Sequence, residues 1–210
     1  MNEVIPGILE KTWPEIERKL EIVKPFAKTV HIDLIDRKFA DNSTFLDPSP
    51  FKKYSKDIFL ELHMMVEEPI NYLKAWADAG FKRFLGHIEM MSDQMDFINK
   101  AKQYGQAGLA IDGPTDVSKI TAPYTNIETL LFMSIKAGFS GQKFNPDYLL
   151  KIKNVKDSGF NGNIEVDGGI NGETIVKARS CGANRFVSTS YLFASKNIEE
   201  EFKNLKDLVE

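Results

Sequence analysis

The sequence predicts an α/β protein, a single-domain (β/α)8 TIM barrel that covers residues 1–210. Two observations favour this fold: eight short apolar runs are spaced roughly evenly along the chain, and helical patterns lie between most of them. Alternating strands and helices indicate a parallel sheet, and eight strands in 210 residues fit a closed barrel near its lower size limit. A doubly wound open sheet is the alternative, but no G-x-G-x-x-G follows the first apolar run.

The elements follow in order from the apolar runs and from helix start and stop signals. Pro14 near the start of the first helix is a favourable residue there, and Ile16, Leu20 and Val23 fall on one face. Ser92 is expected to cap the third helix. The predicted strands cover residues 3–9, 28–35, 58–65, 83–89, 107–112, 129–135, 163–169 and 185–190, and the predicted helices cover residues 13–26, 70–80, 92–105, 114–120 (a weak pattern), 146–159 and 172–182.

Composition and charge exclude several classes of protein. The 27 basic and 30 acidic residues give a net charge of −3, which is not typical of a nucleic-acid binder or an anionic-membrane binder. The longest apolar runs are too short to span a bilayer. Cys181 is the single cysteine, so no internal disulfide is expected, and we interpret it as a packing residue. The N-terminal segment lacks the apolar region of a signal peptide, which predicts a cytoplasmic protein.

The two longest gaps between predicted strands fall after strands 2 and 6. Residues 36–57 form a long polar loop, and residues 136–146 form a glycine-containing loop. Both follow the carboxyl ends of strands, where barrel enzymes place their sites, so both are candidate lids. Asp36, at the start of the first loop, is interpreted as a loop or capping residue.

Polar side chains recur at the carboxyl ends of predicted strands, and all three histidines are among them. His31 and Asp33 are two residues apart and therefore face the same side of a strand. Ionised carboxylates are rarely buried unless they pair or coordinate a metal. Two histidines and two aspartates from three strands indicate a divalent-metal site or an acid/base site, while each histidine alone can also be a hydrogen-bonded core residue. The full set is His31, Asp33, Glu61, His63, His87, Glu89, Glu165 and Asp167.

Glycines in three neighbouring loops predict a phosphate site. The segment 167–172 (DGGING) ends strand 7 and precedes a helix, and the segment 188–193 (STSYLF) ends strand 8. Backbone N–H groups at such helix starts favour phosphate, and barrels often bind one after strands 7 and 8. Gly138 and Gly141 add possible backbone donors after strand 6. The alternative is that these glycines only form turns.

Five motifs together resemble the ribulose-phosphate 3-epimerase family, essentially from end to end. VHIDLID followed by Phe39 is similar to the family motif H-[VIL]-D-V-M-D-G-x-F, and ELHMMVEEP is similar to D-x-H-L/M-M-V-x-x-P. GHIE, GFSGQKF and IEVDGGI resemble the family motifs of strands 4, 6 and 7. Related barrels that decarboxylate or condense sugar phosphates carry D-x-K-x-x-D on strand 3, and that motif does not occur in this sequence.

Carried over by position, the resemblance implies roles for individual residues. It implies that Asp33 and Asp167 are the catalytic acid/base pair. It implies one divalent metal ion (Zn, Fe, Co or Mn), bound by His31, Asp33, His63 and Asp167. It also implies substrate or phosphate contacts at Met65, Met133, Gly138, Phe139, Ser140, Gly141, Gln142, Gly168, Gly169, Thr189 and Ser190.

The implied reaction is 3-epimerisation of a ketose phosphate, most directly of D-ribulose 5-phosphate to D-xylulose 5-phosphate. Epimerising a carbon beside a ketone removes a proton from one face and returns one to the other, which two opposed carboxylates can do through an enediolate. The alternatives are a 3-epimerase of another ketose phosphate, such as D-allulose 6-phosphate, and a non-catalytic phosphosugar-binding barrel. The resemblance also implies a homo-oligomer, a dimer or a hexamer.

The chain departs from the family pattern at five places that cluster around the implied substrate and phosphate contacts. None removes an implied metal ligand or catalytic carboxylate, so the reaction type is expected to follow the family more closely than the substrate does. The departures are Gly7 for Ser, Arg37 for Gly, Asp112-Gly113 for Asn-Pro, Lys136-Ala137 for an acidic residue or Asn followed by Pro, and Ser188-Thr189 for a small residue followed by Gly.

Overall fold

A closed barrel of eight parallel strands forms the centre of the structure, a computed structural model that describes residues 2–210. Each strand pairs with the next one along the chain, and the eighth closes the barrel against the first. The predicted TIM barrel is therefore confirmed. The strands are β1 (Glu3–Ile8), β2 (Thr29–Ile35), β3 (Phe59–Met65), β4 (Arg83–His87), β5 (Gln106–Ile111), β6 (Thr129–Met133), β7 (Asn163–Asp167) and β8 (Arg185–Ser188).

Seven α-helices lie within residues 2–210, and most of them connect one strand to the next. No helix in this part of the chain is both long enough and apolar enough to cross a membrane. The helices are α1 (Trp13–Val23), α2 (Leu73–Asp78), α3 (Gln94–Ala101), α4 (Leu150–Asp157), α5 (Thr174–Ser180), α6 (Ser190–Ala194) and α7 (Ile198–Asp207).

Three local predictions differ from the structure. The cap of α3 is Asp93 and not Ser92, because the Asp93 carboxylate accepts two N–H groups of the first helical turn at 2.8 and 2.9 Å. The weak helix predicted over 114–120 is only a 3₁₀ turn, Val117–Lys119, in a segment rich in turn-forming residues. The C-terminal helix α7 was not among the predicted elements.

Strand β2 is buried along its whole length, which explains its unusual mixture of residues. The side chains of Val30, Ile32 and Leu34 pack in the apolar core between the barrel and its helices. The side chains of His31 and Asp33 point the other way, into the barrel, because successive strand residues face opposite sides. Polar residues are therefore tolerated in this apolar run only on the face that meets polar partners.

The strand register brings the predicted polar residues to the same end of the barrel. Gly7 on β1 pairs with His31 on β2, and Asp33 on β2 pairs with His63 on β3. Asp167 is the last residue of β7. The parallel strands therefore deliver these side chains to the carboxyl face, which is the face that carries the sites of barrel enzymes.

The two loops predicted as lids contact each other at this face. Asn42 Nδ2 donates a hydrogen bond to the carbonyl oxygen of Gly138 at 2.8 Å, and both residues are buried. Gly138 has a φ of 115°, and a Cβ added to it would lie 2.5 Å from the Cβ of Ala40. Glycine at position 138 is therefore required for this close approach of the loops.

Candidate active site

Four side chains converge at the carboxyl face of the barrel. They offer ligand atoms that all lie within 4.8 Å of one another, and all four residues are buried. His63 Nδ1 lies 2.8 Å from Asp33 Oδ1 and 3.8 Å from Asp167 Oδ2. His31 Nε2 lies 3.4 Å from Asp33 Oδ1. The structure therefore brings together the four residues that the resemblance implies as metal ligands.

His31 presents one ring nitrogen to this cluster. Its Nδ1 donates a hydrogen bond to Glu61 Oε1 at 2.7 Å, and Glu61 forms an ion pair with Arg83. The other nitrogen, Nε2, is buried and has no hydrogen-bond partner within residues 2–210. A buried acceptor without a partner is costly, and a second-shell carboxylate on Nδ1 is the usual arrangement for a metal-binding histidine. The residue therefore fits a metal ligand.

His63 begins a chain of side chains that ends at Glu89. His63 Nε2 lies 2.9 Å from His87 Nε2, and His87 Nδ1 lies 2.9 Å from Glu89 Oε2. Together with the contact between His63 and Asp33, this gives three hydrogen-bond positions between two terminal carboxylates. Carboxylates only accept, and two neutral imidazoles supply only two protons. A cation beside His63 Nδ1 and Asp33 satisfies every group, so the donor set fits a divalent metal.

Burial and neighbouring charges hold the two aspartates of the metal-free chain in different protonation states. Burial acts to raise the pKa of Asp33, but the neighbouring imidazoles of His31 and His63 hold its pKa well below the usual range. Burial and then the negative charge of Asp33 raise the pKa of Asp167 to about 7. Burial lowers the pKa of His63 to about 4, so this imidazole is neutral near pH 7. In the metal-free chain, Asp33 therefore favours its ionised form more strongly than Asp167 does.

A second layer of charged groups lies behind the four-residue cluster. Glu165 Oε1 is 3.4 Å from His31 Nδ1, but the proton of that nitrogen is directed to Glu61. Neither carboxylate oxygen of Glu165 has a hydrogen-bond partner within residues 2–210. Burial and then the charge of Glu61 raise the pKa of Glu165 to about 7. This layer surrounds His31 with acidic groups and makes the interior favourable for a positive charge.

A small cavity opens beside Asp33 and Asp167. Ten of the eleven predicted substrate contacts line it, and the eleventh, Gln142, lies outside it. The Gln142 side-chain amide instead donates to the carbonyl oxygens of Lys136 and Phe139, at 2.7 and 2.8 Å. The lining residues are Leu9, Asp33, Met65, Met133, Ile135, Gly138, Phe139, Ser140, Gly141, Asp167, Gly168, Gly169, Ile170, Thr189 and Ser190.

Three apolar lining residues, Leu9, Ile135 and Ile170, were not predicted from the sequence. Ile135 lies two residues after Met133, just beyond the end of β6, so the period-two spacing of a strand could have predicted that it faces the cavity. Leu9 and Ile170 follow the ends of their strands in irregular backbone, where no period applies. These residues add apolar surface to the cavity beside its glycine-rich loops.

Arg37 has a left-handed backbone, with φ at 71°, at the position where the family pattern has glycine. Its side chain is exposed, and an L-residue in this conformation is strained by about 1 kcal/mol. The neighbouring Asp36 holds the turn: its Oδ1 accepts the N–H of Lys38 and its Oδ2 accepts the N–H of Glu67, both at 2.9 Å. The interpretation of Asp36 as a loop residue is confirmed.

Two other departures from the family pattern are linked by a hydrogen-bonded carboxylate. Asp112 Oδ1 accepts the N–H of Gly113 at 2.8 Å and the N–H of Ala137 at 2.7 Å. The family pattern has proline at both of these positions, and proline has no N–H. Asp112 therefore accepts hydrogen bonds from the two backbone N–H groups that this chain has where the family pattern has proline. Its own N–H donates to Glu89 Oε1 at 2.7 Å, which ties the start of the loop 136–146 to Glu89.

The fold and the site together define a class of protein. A closed β/α barrel carries a buried cluster of histidine and aspartate side chains beside a cavity at the carboxyl ends of its strands. Two carboxylates that reach one cavity from different strands are typical of acid/base enzymes.

The sequence comparisons identify the family within that class. The Ribulose-phosphate 3 epimerase family matches residues 3–193, and the chain belongs to this family of isomerases acting on carbohydrates. The ribulose-phosphate 3-epimerase of Chlamydia trachomatis is 34% identical, over 96% of this chain and 91% of the relative. The cytoplasmic isoform of ribulose-phosphate 3-epimerase from Oryza sativa is 30% identical, over 99% of this chain and 94% of the relative. The resemblance seen in the motifs is therefore confirmed.

Comparison with solved structures supports the fold alone. The 3-keto-L-gulonate-6-phosphate decarboxylase of Vibrio cholerae superimposes with a TM-score of 0.73 over 100% of this chain and 98% of that chain. Its sequence is only 12% identical to this one. The similarity therefore confirms the barrel architecture and carries no argument about the reaction.

Proposed function

We propose that this protein is a metal-dependent 3-epimerase that interconverts D-ribulose 5-phosphate and D-xylulose 5-phosphate through a 2,3-enediolate. The observation that carries the proposal is the pair of carboxylates, Asp33 and Asp167. Both line one cavity, and they reach it from different strands, β2 and β7. Membership of the epimerase family supports a sugar phosphate as the substrate.

In this mechanism, each aspartate serves one face of the substrate carbon. Asp33, on β2, accepts the C3 proton on its carboxylate. Asp167, on β7, returns a proton to the opposite face of the carbon. The two residues exchange roles in the reverse direction. A divalent cation held by the four-residue cluster supplies positive charge that stabilises the negative charge of the enediolate.

We place the phosphate of the substrate against the glycine-rich loops of the cavity. Gly168 and Gly169 have φ values of 111° and 65°, so the chain turns sharply and its backbone approaches the cavity. Ser190 begins α6 and lines the same cavity. Phosphate held there orients the sugar without touching the reacting carbon, so its binding energy supports the chemical step.

The proposal is tested by exchange of the substrate C3 proton with deuterated solvent, followed by NMR on ribulose 5-phosphate. We expect wild-type protein to exchange this proton, and Asp33→Asn and Asp167→Asn to lose at least about 100-fold of the rate. Asp116→Asn is the control, because Asp116 caps an exposed 3₁₀ turn. Exchange at the wild-type rate in both active-site variants contradicts the two-carboxylate mechanism, and no exchange in the wild type contradicts the proposed activity.

The choice of substrate and metal is tested with the same assay. We propose ribulose 5-phosphate over a hexulose phosphate such as D-allulose 6-phosphate, and a higher kcat/KM for the pentulose supports this. Mixed imidazole and carboxylate ligands suit Zn²⁺, Fe²⁺, Co²⁺ or Mn²⁺. Removing bound metal with a chelator is expected to abolish exchange, and adding back each ion separately identifies the active one. Full activity after complete metal removal contradicts the metal assignment.

We further propose that residues 1–210 form one domain and that the protein is a cytoplasmic homo-oligomer, a dimer or a hexamer. The cytoplasmic isoform among its relatives supports the location. Light scattering coupled to size-exclusion chromatography measures the oligomeric state, and a monomeric mass at micromolar concentration contradicts the proposal. Neither a nucleic acid nor a membrane is proposed as a partner.

A further inference from the structure

Two departures from the family pattern, at positions 7 and 189, occupy the same space in the barrel. β1 and β8 are paired, with Pro6 opposite Ser188, so the next residues along the two strands are neighbours. A Cβ added to Gly7 would lie only 2.2 Å from Thr189 Oγ1 and 2.8 Å from Val187 Cγ1. The Thr189 hydroxyl therefore fills the space in which a side chain at position 7 would begin.

Thr189 lines the cavity, and its hydroxyl lies over Gly7. Thr189 is half-buried and lines the cavity with Asp33 and Asp167. At residue 189, only the backbone carbonyl oxygen is used, by the N–H of Phe193 at 3.2 Å, and the hydroxyl makes no hydrogen bond within residues 2–210. A partly desolvated hydroxyl can both donate and accept, and it gains most from a polar atom of a ligand.

The position of this hydroxyl along the barrel axis indicates which part of a ligand it contacts. Gly7 is the register partner of His31, so the space shared with Thr189 lies level with the four-residue cluster. A sugar oxygen near the reacting carbons reaches this level, whereas the phosphate is placed at the outer glycine-rich loops.

The family pattern has serine after the proline of β1 and glycine before Ser190, and this chain has Gly7 and Thr189 at those positions. We propose that Thr189 is a specificity-determining residue whose hydroxyl, moved from β1 to β8, hydrogen-bonds a sugar oxygen of the ketose phosphate beside the reacting carbons. This inference rests on the proposed function. Glycine at position 7 leaves room for this hydroxyl, because any side chain there would displace it.

Substitutions at position 189 distinguish the contribution of the hydroxyl to kcat/KM from that of the side-chain shape. Thr189→Ser keeps the hydroxyl and is expected to keep kcat/KM within about threefold of the wild type. Thr189→Val keeps the branched shape without the hydroxyl and is expected to lower kcat/KM for ribulose 5-phosphate by about 10-fold or more, with an unchanged Tm. A Thr189→Val variant with wild-type kcat/KM overturns the inference.

Double variants test whether a hydroxyl on β1 can replace the Thr189 hydroxyl on β8. Gly7→Ser alone forces the Thr189 hydroxyl out of its place and is expected to lower kcat/KM. Gly7→Ser combined with Thr189→Gly restores a hydroxyl from β1 and is expected to recover at least about a third of wild-type kcat/KM. Gly7→Ala with Thr189→Gly is the matched control, since it has the same small side chain without the hydroxyl, and it should stay low.

Equal kcat/KM values for the serine and alanine double variants overturn the inference, provided that the wild type is active. Absence of turnover in every protein, including the wild type, instead refutes the proposed function and this inference with it. The Tm of each variant, measured in parallel, identifies any loss that comes from misfolding rather than from the missing hydroxyl.

Discussion

Replacing Asp112 by alanine tests whether its carboxylate anchors the loop 136–146. The carboxylate accepts N–H groups from Gly113 at 2.8 Å and Ala137 at 2.7 Å, and both of these residues are buried. Alanine leaves both amides without an acceptor, and each buried unsatisfied group costs about 1–3 kcal/mol. We therefore expect Asp112→Ala to lower the free energy of unfolding by about 2–4 kcal/mol, measured by urea denaturation.

Two further variants define how this result is interpreted. Asp112→Asn keeps an acceptor oxygen and should cost less than about 1 kcal/mol. Asp116→Ala is the matched control, because Asp116 Oδ1 also accepts a backbone N–H, from Ser118 at 2.8 Å, but on the exposed surface. Hydrogen–deuterium exchange at Ala137 should become faster only in Asp112→Ala. The reasoning is refuted if Asp112→Ala loses no more stability than Asp116→Ala, or if exchange at Ala137 is unchanged.

Three other predictions follow from the site and its loops. His87→Leu removes the hydrogen-bond acceptor that orients His63, so it should weaken Co²⁺ binding by about 10-fold or more. Competition with a chelator measures this affinity, and an unchanged value would show that the orientation of His63 does not depend on His87. In metal-free protein, the pKa of Asp167 is raised from its ordinary value of 3.8 to about 7, so the stability it contributes is present below about pH 4 and is lost as the pH rises through about 7. Asp167→Asn should therefore lose less stability than the wild type between pH 4 and pH 8 in urea denaturation with a chelator, and parallel pH profiles would contradict the shift. Arg37→Gly should be more stable than Arg37→Ala by about 1 kcal/mol, because only glycine relieves the left-handed backbone, and equal Tm values for the two variants would argue against that strain.

The cluster of metal-compatible residues was predictable because it depends on local spacing. His31 and Asp33 share a strand face by period two, and parallel strands of a barrel end at the same face. The motifs then supplied the partners on β3 and β7, and the structure brings all four side chains within 4.8 Å of one another. The glycine-rich loops were predictable for a similar reason, since the residues that permit sharp turns are visible in the sequence.

The remaining features depend on contacts between distant segments. Ser92 and Asp93 are both good helix caps, and only the three-dimensional path of the loop selects Asp93. Helix α7 is different, because its buried Phe202 and Leu205 alternate with charged residues in an amphipathic pattern that made it predictable from the sequence. Gln142 matches a family motif, yet its amide finds two carbonyl oxygens inside its own loop. Position in a motif does not specify the direction of a long, flexible side chain.

Glu89 contacts both the histidine chain of the four-residue cluster and the anchor of the loop 136–146. Its Oε2 accepts from His87, which contacts His63, and its Oε1 accepts from the N–H of Asp112, which holds the loop 136–146. Two ligands that act on a shared element obey thermodynamic reciprocity. If bound substrate changes the affinity for the cation by a given factor, the bound cation changes the affinity for the substrate by the same factor. Titrations of each ligand with and without the other should give the same cooperativity factor, in whichever order they are added.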